Sequence, residues 1–390
     1  MVHLSNAVAS FTLDIYKEII KKAPGENVFF SPFSVSLAMG MLDLGAKGKT
    51  ADQIETVMHF KSPGHEHADK GDSSCHRSGK AGDTHKEYKE LLTNLNAPQS
   101  LYELNVANRL YGQKGYEFVQ EFLRSTKEIY QASLETVDFQ KSTEEARKEI
   151  NAWVEKQTNE KIKDLFKQGS LDTSTVLVLA SAIYFKGKWR SQFKIEFTNN
   201  APFFVNKNEK KTVRMMSQTG QFQLTDLTAM KCKVLELPYE GDLSMLIILP
   251  NEIDGLSEIE PKITDENVTE ILKLDGPKIT VHVSLPHINI AKTYNFIPLL
   301  ENLGIVDLFT NHADLSGIST KDALKVSAIV HMAYVEVNEE GTVAAAATGV
   351  GVSLTSIPVI PQFNVNHPFM FLIRHIPSNL IFFKGRYISP

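Results

Sequence analysis

The side chains able to act as nucleophiles, bases or metal ligands are spread thinly along this 390-residue chain, which holds twelve histidines and two cysteines. Four of the histidines, His65, His67, His76 and His85, fall within residues 61–87 together with Cys75. Metal binding is the chemistry such a cluster suggests. Zinc sites, however, need ligands at set intervals, as in Cys₂His₂ or HExxH patterns, and neither interval occurs. The segment "KSPGHEHADKGDSSCHRSGKAGDTHKE" is nearly free of apolar residues and rich in Gly, Ser, Asp and Lys. It reads as a mobile surface insertion between helices. No metal and no cofactor is predicted.

Phosphate chemistry fares no better. "GAKGKT", residues 45–50, ends like a phosphate-binding loop, but Asp43 stands where that loop requires its first Gly. A helix precedes it rather than a strand, so backbone N–H groups would not form the cradle. There is no GxSxG elbow and no GxGxxG after a strand. Ser and His are scattered, and nothing proposes a triad. An enzyme therefore has no positive feature here.

Composition bounds the remaining classes. A formal net charge of −5, 42% apolar and 22% charged residues are the balance of a folded globular protein, one large domain or two. Mild acidity gives no footprint for nucleic acid. No stretch approaches the roughly 18–20 apolar residues of a membrane span. Two cysteines, Cys75 and Cys232, make no disulfide framework, so a reducing compartment is expected. The N-terminal "MVHLSNAVASFTLDIYKEIIKKAPGEN" places Leu4, Val8, Phe11, Ile15 and Ile19 at helical spacing and stops before Pro24-Gly25. It lacks the continuous apolar core and cleavage site of a secretory signal. The expected location is the cytoplasm, or outside the cell by export without a cleaved signal.

The elements follow from periodicity. Ser31-Pro32 caps a helix running to Leu44, where Gly45 ends it. "STEEARKEINAWVEKQTNEKIKDLF" reads as an acid-first amphipathic helix presenting Ile150, Trp153 and Val154. The second half reads as strands, in "TVLVLASAIYFKGKW", "FFVNKNEKKTVRMMSQ", "KCKVLELPYEGDLSMLIILP" and "KITVHVSLPHINI". Helices first and strands later predict an α+β fold. One stretch stands apart: no Asp, Glu, Lys or Arg occurs from Gly341 to Ile373.

Seven blocks then resemble one family in order: "NVFFSPFSVSLAMGMLDLGAKGKT", "NAWVEKQTNEKIKDLF", "AIYFKGKWRSQF", "LELPYEGDLSMLIILPNE", "LENLGIVDLFTNHADLSGIS", "VHMAYVEVNEEGTVAAAAT" and "NHPFMFLIRHIPSNLIFFKGRYISP". The chain resembles a serpin over essentially its whole length, with features of the ovalbumin-like, mostly intracellular clade. The resemblance implies a single domain, residues 1–390, of three β-sheets and about nine helices. It makes residues 341–362 the hinge and exposed reactive-centre loop, and the protein a monomer that traps a target protease covalently. A non-inhibitory member acting as chaperone, carrier or storage protein is the alternative.

The loop chemistry can be weighed independently. A segment that must become a central strand needs no Pro, no charge and inward side chains that fit at period 2. Thr342, Ala344, Ala346, Thr348, Val350 and Val352 lie on one face; Val343, Ala345, Ala347, Gly349, Gly351 and Ser353 lie on the other. Pro is absent until Pro358. A flexible linker would carry more Ser, Glu or Lys, so insertion is the better reading. The resemblance makes the hinge Glu339, Gly341, Thr342, Val343, Ala344, Ala345, Ala346, Ala347 and Thr348, with Val343 where the family often has Glu. By the family's register, counted from Gly341, the resemblance implies a scissile bond at Thr355-Ser356, or Leu354-Thr355 if shifted by one. The first choice disfavours trypsin-like targets, and a chymotrypsin-like, elastase-like or papain-like protease fits better.

The family also implies a hydrogen-bonded shutter at Ser31, Ser34 and His331, with an Asn on the neighbouring strand. That strand reads "LASAIYF", putting Ser181 in the Asn position. A weaker or water-bridged network is expected there. Trp189 is expected under the top of the sheet, where the hinge enters.

Overall fold

The computed structural model describes residues 2–61, 80–95, 101–274, 276–321, 324–341 and 360–390. Hydrophobic periodicity builds the first helix as expected: α1 (Val2–Lys22) buries Leu4, Val8, Phe11, Ile15 and Ile19. Ser31 caps α2 (Pro32–Asp43), its side chain accepting from the Ser34 N–H, and Pro32 sits in the first turn, where a missing donor is harmless. All of α2 is buried, so it runs through the core rather than over it. α3 (Gly48–Val57) begins at the "GKT" stretch, and the element before it is helix α2 rather than a strand.

Two boundaries differ from the sequence reading. α4 (Lys80–Leu95) includes Lys80–Glu87, which the polar composition had assigned to the insertion. Buried Tyr88, Leu91 and Leu92 recur at helical spacing, and the helix they anchor extends upstream into polar residues. Residues 62–79 lie outside the described residues. Past α5 (Gln120–Tyr130), α6 (Thr143–Gln157) buries Ile150 and Val154 but stops well short of Phe166. Asn159 and Glu160 have φ of 50° and 61°, incompatible with a continuing helix. Asn151 then clasps the returning chain, accepting from Phe166 N at 2.9 Å and donating to its carbonyl at 2.8 Å. α7 (Leu256–Ile259), α8 (Asp265–Lys273) and α9 (Ile297–Leu303) complete the nine α-helices among the described residues. The Asn267 amide, which matches a glycan acceptor in sequence, closes a capping box with Thr264 at the head of α8.

The strands in chain order are β1 (Val28–Phe30), β2 (Tyr102–Gln113), β3 (Leu134–Val137), β4 (Leu177–Gly187), β5 (Asn199–Asn206), β6 (Glu209–Leu227) and β7 (Cys232–Pro238). They continue with β8 (Leu243–Pro250), β9 (Ile279–Pro286), β10 (Ile288–Asn295), β11 (Ala328–Val337), β12 (Gln362–Asn364), β13 (Phe369–His375) and β14 (Leu380–Tyr387). One sheet has the order β10-β11-β4-β2-β3. The others share β6: residues up to Phe222 pair with β5 and β9, and Gln223–Leu227 pair with β7. The fold is the α+β, three-sheet architecture that the resemblance implied. The sequence reading missed β2, a long strand in the half dominated by helices.

The five-stranded sheet separates two cores. Leu177, Leu179, Ile183 and Phe185 of β4 join the main core around α1 and α2. Val178, Ala180 and Ala182 face the other way and pack with Ile150 and Val154 of α6. β4 is buried on both faces, which explains an apolar run interrupted only by Ser181 up to Phe185. At its centre β4 lies parallel to β11, with His331 opposite Ser181 and Tyr334 opposite Tyr184.

Candidate functional site

A polar stripe crosses the inner face of this sheet. Asn108 on β2 lies opposite Ser181 on β4, and Ser181 lies opposite His331 on β11. All three face the capped end of α2, where Ser31 and Ser34 sit fully buried. Polar groups sealed in an apolar core must satisfy one another, and these do. The Ser31 N–H donates to His331 Nε2 at 3.0 Å, so the neutral ring carries its proton on Nδ1. Nδ1 then donates to Ser181 Oγ at 2.9 Å, Ser181 to Ser34 Oγ at 3.1 Å, and Ser34 to Asn108 Oδ1 at 3.1 Å. The chain closes back on the helix, Asn108 Nδ2 donating to the Ser34 carbonyl at 2.9 Å. Ser31 Oγ donates to the Phe382 carbonyl at 2.6 Å, tying β14 into the same knot.

Burial pushes the His331 pKa down to about 3, so the ring is neutral at physiological pH. Neutrality is also required by geometry, because a proton on Nε2 would face the Ser31 N–H.

The four residues expected together, Ser31, Ser34, Ser181 and His331, are therefore in direct contact. The water-bridged alternative at Ser181 is corrected: Ser181 reaches the ring directly, because the register sets the two residues side by side. The amide that the family places on this strand is supplied one strand over, by Asn108. Sequence reasoning missed Asn108. Its signal was a lone polar side chain at the parity of Val106 and Leu110, both turned toward the main core.

The second part of the site is the top of the same sheet. The β4–β11 pairing ends at Tyr184 and Tyr334, while β4 continues to Gly187 and β11 to Val337. Above that point the strands are joined by a turn. Trp189 N donates to the Glu340 carbonyl and Phe193 N to the Glu339 carbonyl, both at 2.8 Å. Trp189 is 1% exposed, stacks on Tyr239 at 4.3 Å, and donates its Nε1–H to the Asn338 carbonyl at 3.1 Å. It thus packs against the turn that runs from Asn338 to Gly341. Gly341 bridges Lys188 with φ of 129°, and a Cβ there would come within 2.3 Å of the Gly187 carbonyl oxygen. Only glycine fits.

Glu339 anchors the turn from outside, 3.0 Å from His287 Nε2 and 3.5 Å from Arg214 Nη2. Burial pushes its pKa up, but hydrogen bonds from its own backbone N–H, from Thr198 and from His287 outweigh this and hold the carboxyl below the ordinary range. Thr342, Val343, Ala344, Ala345, Ala346, Ala347 and Thr348 of the hinge lie outside the described residues, as do Leu354, Thr355 and Ser356. The chain re-enters at residue 360, and the Pro361 carbonyl accepts from His282 N at 2.9 Å beside β9.

The class these features define is an α+β protein in which the described chain leaves the end of a central strand at Gly341 and returns at residue 360 beside the edge of a second sheet. A family model described as Serpin (serine protease inhibitor) matches residues 6–390. Human Serpin B4 is 44% identical and bovine leukocyte elastase inhibitor 43% identical, each match covering 100% of both chains. The crystal structure of uncleaved ovalbumin superimposes with a TM-score of 0.87 at 35% identity, covering 99% of this chain and 100% of the other. The chain belongs to the serpin family.

Proposed function

We propose that this serpin inhibits a protease by covalent trapping, with residues 342–352 entering the main sheet after cleavage. The observation that carries the reading is the parallel β4–β11 pair, unladdered above Tyr184 and Tyr334 and capped by a turn that leads straight into the uncharged, Pro-free run. A strand continuing from β11 through that turn runs antiparallel to β11, and therefore antiparallel to β4 as well. It can hydrogen-bond on both sides. The small and β-branched residues of the run suit a strand buried on two faces. The Asn108–Ser34–Ser181–His331 knot lies under the middle of the pair, where it holds the strands together until they part.

In the reaction, the protease's serine or cysteine attacks the carbonyl carbon of Thr355, and the amine of Ser356 leaves. A one-residue shift places the attack at Leu354. The acyl-enzyme stays on the newly freed hinge, and insertion carries it away before water completes hydrolysis. About a dozen residues gaining ladders on both sides form upwards of ten hydrogen bonds, each worth roughly 1 kcal/mol net. This chain supplies stored free energy and no catalytic group. With no basic residue near the bond, the target is a chymotrypsin-like, elastase-like or papain-like protease, the protein acts as a monomer, and the site of action is the cytoplasm or the extracellular space.

The test is incubation of the full chain with one protease of each type. The expected result is an SDS-stable adduct and a released peptide beginning at Ser356 or Thr355. Clean cleavage within residues 352–357 without an adduct would transfer support to the non-inhibitory reading.

A further inference from the structure

Lys384, on β14, turns its side chain inward and is 5% exposed. Its Nζ lies 4.6 Å from the centre of the Tyr16 ring on α1. The carboxylate in this cluster, Glu260 just after α7, is already committed. It accepts from the Tyr16 hydroxyl and from Arg386 Nη1, the latter at 3.2 Å. Arg386 fills its remaining donors with the carbonyls of Ala23, Pro24 and Glu26. The ionisable groups around the cluster are Tyr16 from α1, Glu260 from the α7 side, Tyr294 from β10 and Arg386 from β14 itself. The strands flanking β14 set only Phe30 and Leu372 opposite Lys384. Two basic side chains thus share one buried carboxylate.

We propose that Lys384 is a proton switch on the seam between α1 and the sheet, loosening that seam when it gains a proton and seating against Tyr16 when it loses one. An ammonium gains about 0.5–2 kcal/mol over an aromatic face, less than the cost of burying a charge whose counter-ion is taken. Burial pushes the amine down to about 7; Glu260 opposes this and Arg386 adds to it. An unfolded lysine protonates near about 10.4. Between those values the unfolded chain binds the extra proton, so native stability rises with pH across that window and is flat below it.

Thermal melts of the full chain from pH 6 to pH 9.5 test the switch, independently of any protease. Lys384→Met is expected to melt at least about 3 °C above the wild type at pH 6. That gap should narrow toward pH 9.5. Lys384→Arg, which keeps its charge throughout, should fall below the wild type at pH 9. Parallel profiles, a Lys384→Met protein less stable at pH 6, or a Lys384→Arg protein equal to wild type at pH 9 would overturn the proposal. If Lys384→Met does not fold, ¹³Cε-lysine NMR of the wild type decides. One resonance titrating between pH 6 and 8, absent in Lys384→Arg, supports the switch, and its absence from the wild type rejects it.

Discussion

His331 is the side chain through which acid should act on the main sheet. Its folded pKa is depressed by burial, so below about pH 6.5 the unfolded chain takes up a proton that the native ring refuses. Stability therefore rises with pH between about 3 and 6.5 and is lost as pH falls through that window, by about 1.4 kcal/mol per unit at most. His367 and His375, also depressed by burial, add in the same direction. Denaturant unfolding at pH 7 and pH 5 is the measurement, and His331→Asn should show a drop smaller by about 2 kcal/mol. Next to it, Ser181→Ala leaves the Nδ1–H of His331 and the hydroxyl of Ser34 short of a partner. A loss of about 1–3 kcal/mol is expected, with no change in overall fold by circular dichroism.

At the scale of the element, the turn from Asn338 to Gly341 is the most sensitive piece. Gly341→Ala adds a methyl group against the Gly187 carbonyl and asks an L-residue to hold φ of 129°. The turn must move off the end of β4. The expected outcome is a loss of more than about 1 kcal/mol, together with slower or failed adduct formation in the protease assay. Much of this architecture was legible beforehand. The capped start of α2, the amphipathic α1 and the apolar runs of β4, β7 and β8 each announce their partners locally, by a cap, a period or a run. β2 did not, because "YELNVANRLYGQ" mixes both kinds of side chain and is made a strand by the neighbours on either side. The end of α6 was equally hidden. "KQTNEKIKDLF" keeps a helical pattern in sequence, and the Asn151 clasp on Phe166 overrides it.

For the whole molecule, the decisive quantity is the difference in stability between the intact and the nicked chain. Cleavage between residues 352 and 357 is expected to raise the melting midpoint by more than about 10 °C, since the gain on insertion is many kcal/mol. Differential scanning calorimetry before and after limited proteolysis measures it, and an unchanged midpoint would remove the basis for trapping. The sequence by itself settled the α+β class, the family and the uncharged, proline-free composition of the run after Gly341, because each is written in stretches of neighbouring residues: patterning, blocks in order, an absence of charge and proline. It could not pair residues hundreds of positions apart. Only the tertiary structure brought Asn108, Ser181 and His331 into one register, put the Ser181 hydroxyl in direct contact with that imidazole, and set Lys384 against Tyr16 with its carboxylate already taken. Those outcomes depend on which strand lies next to which, and strand order is fixed by the closing of the whole core rather than by any local segment.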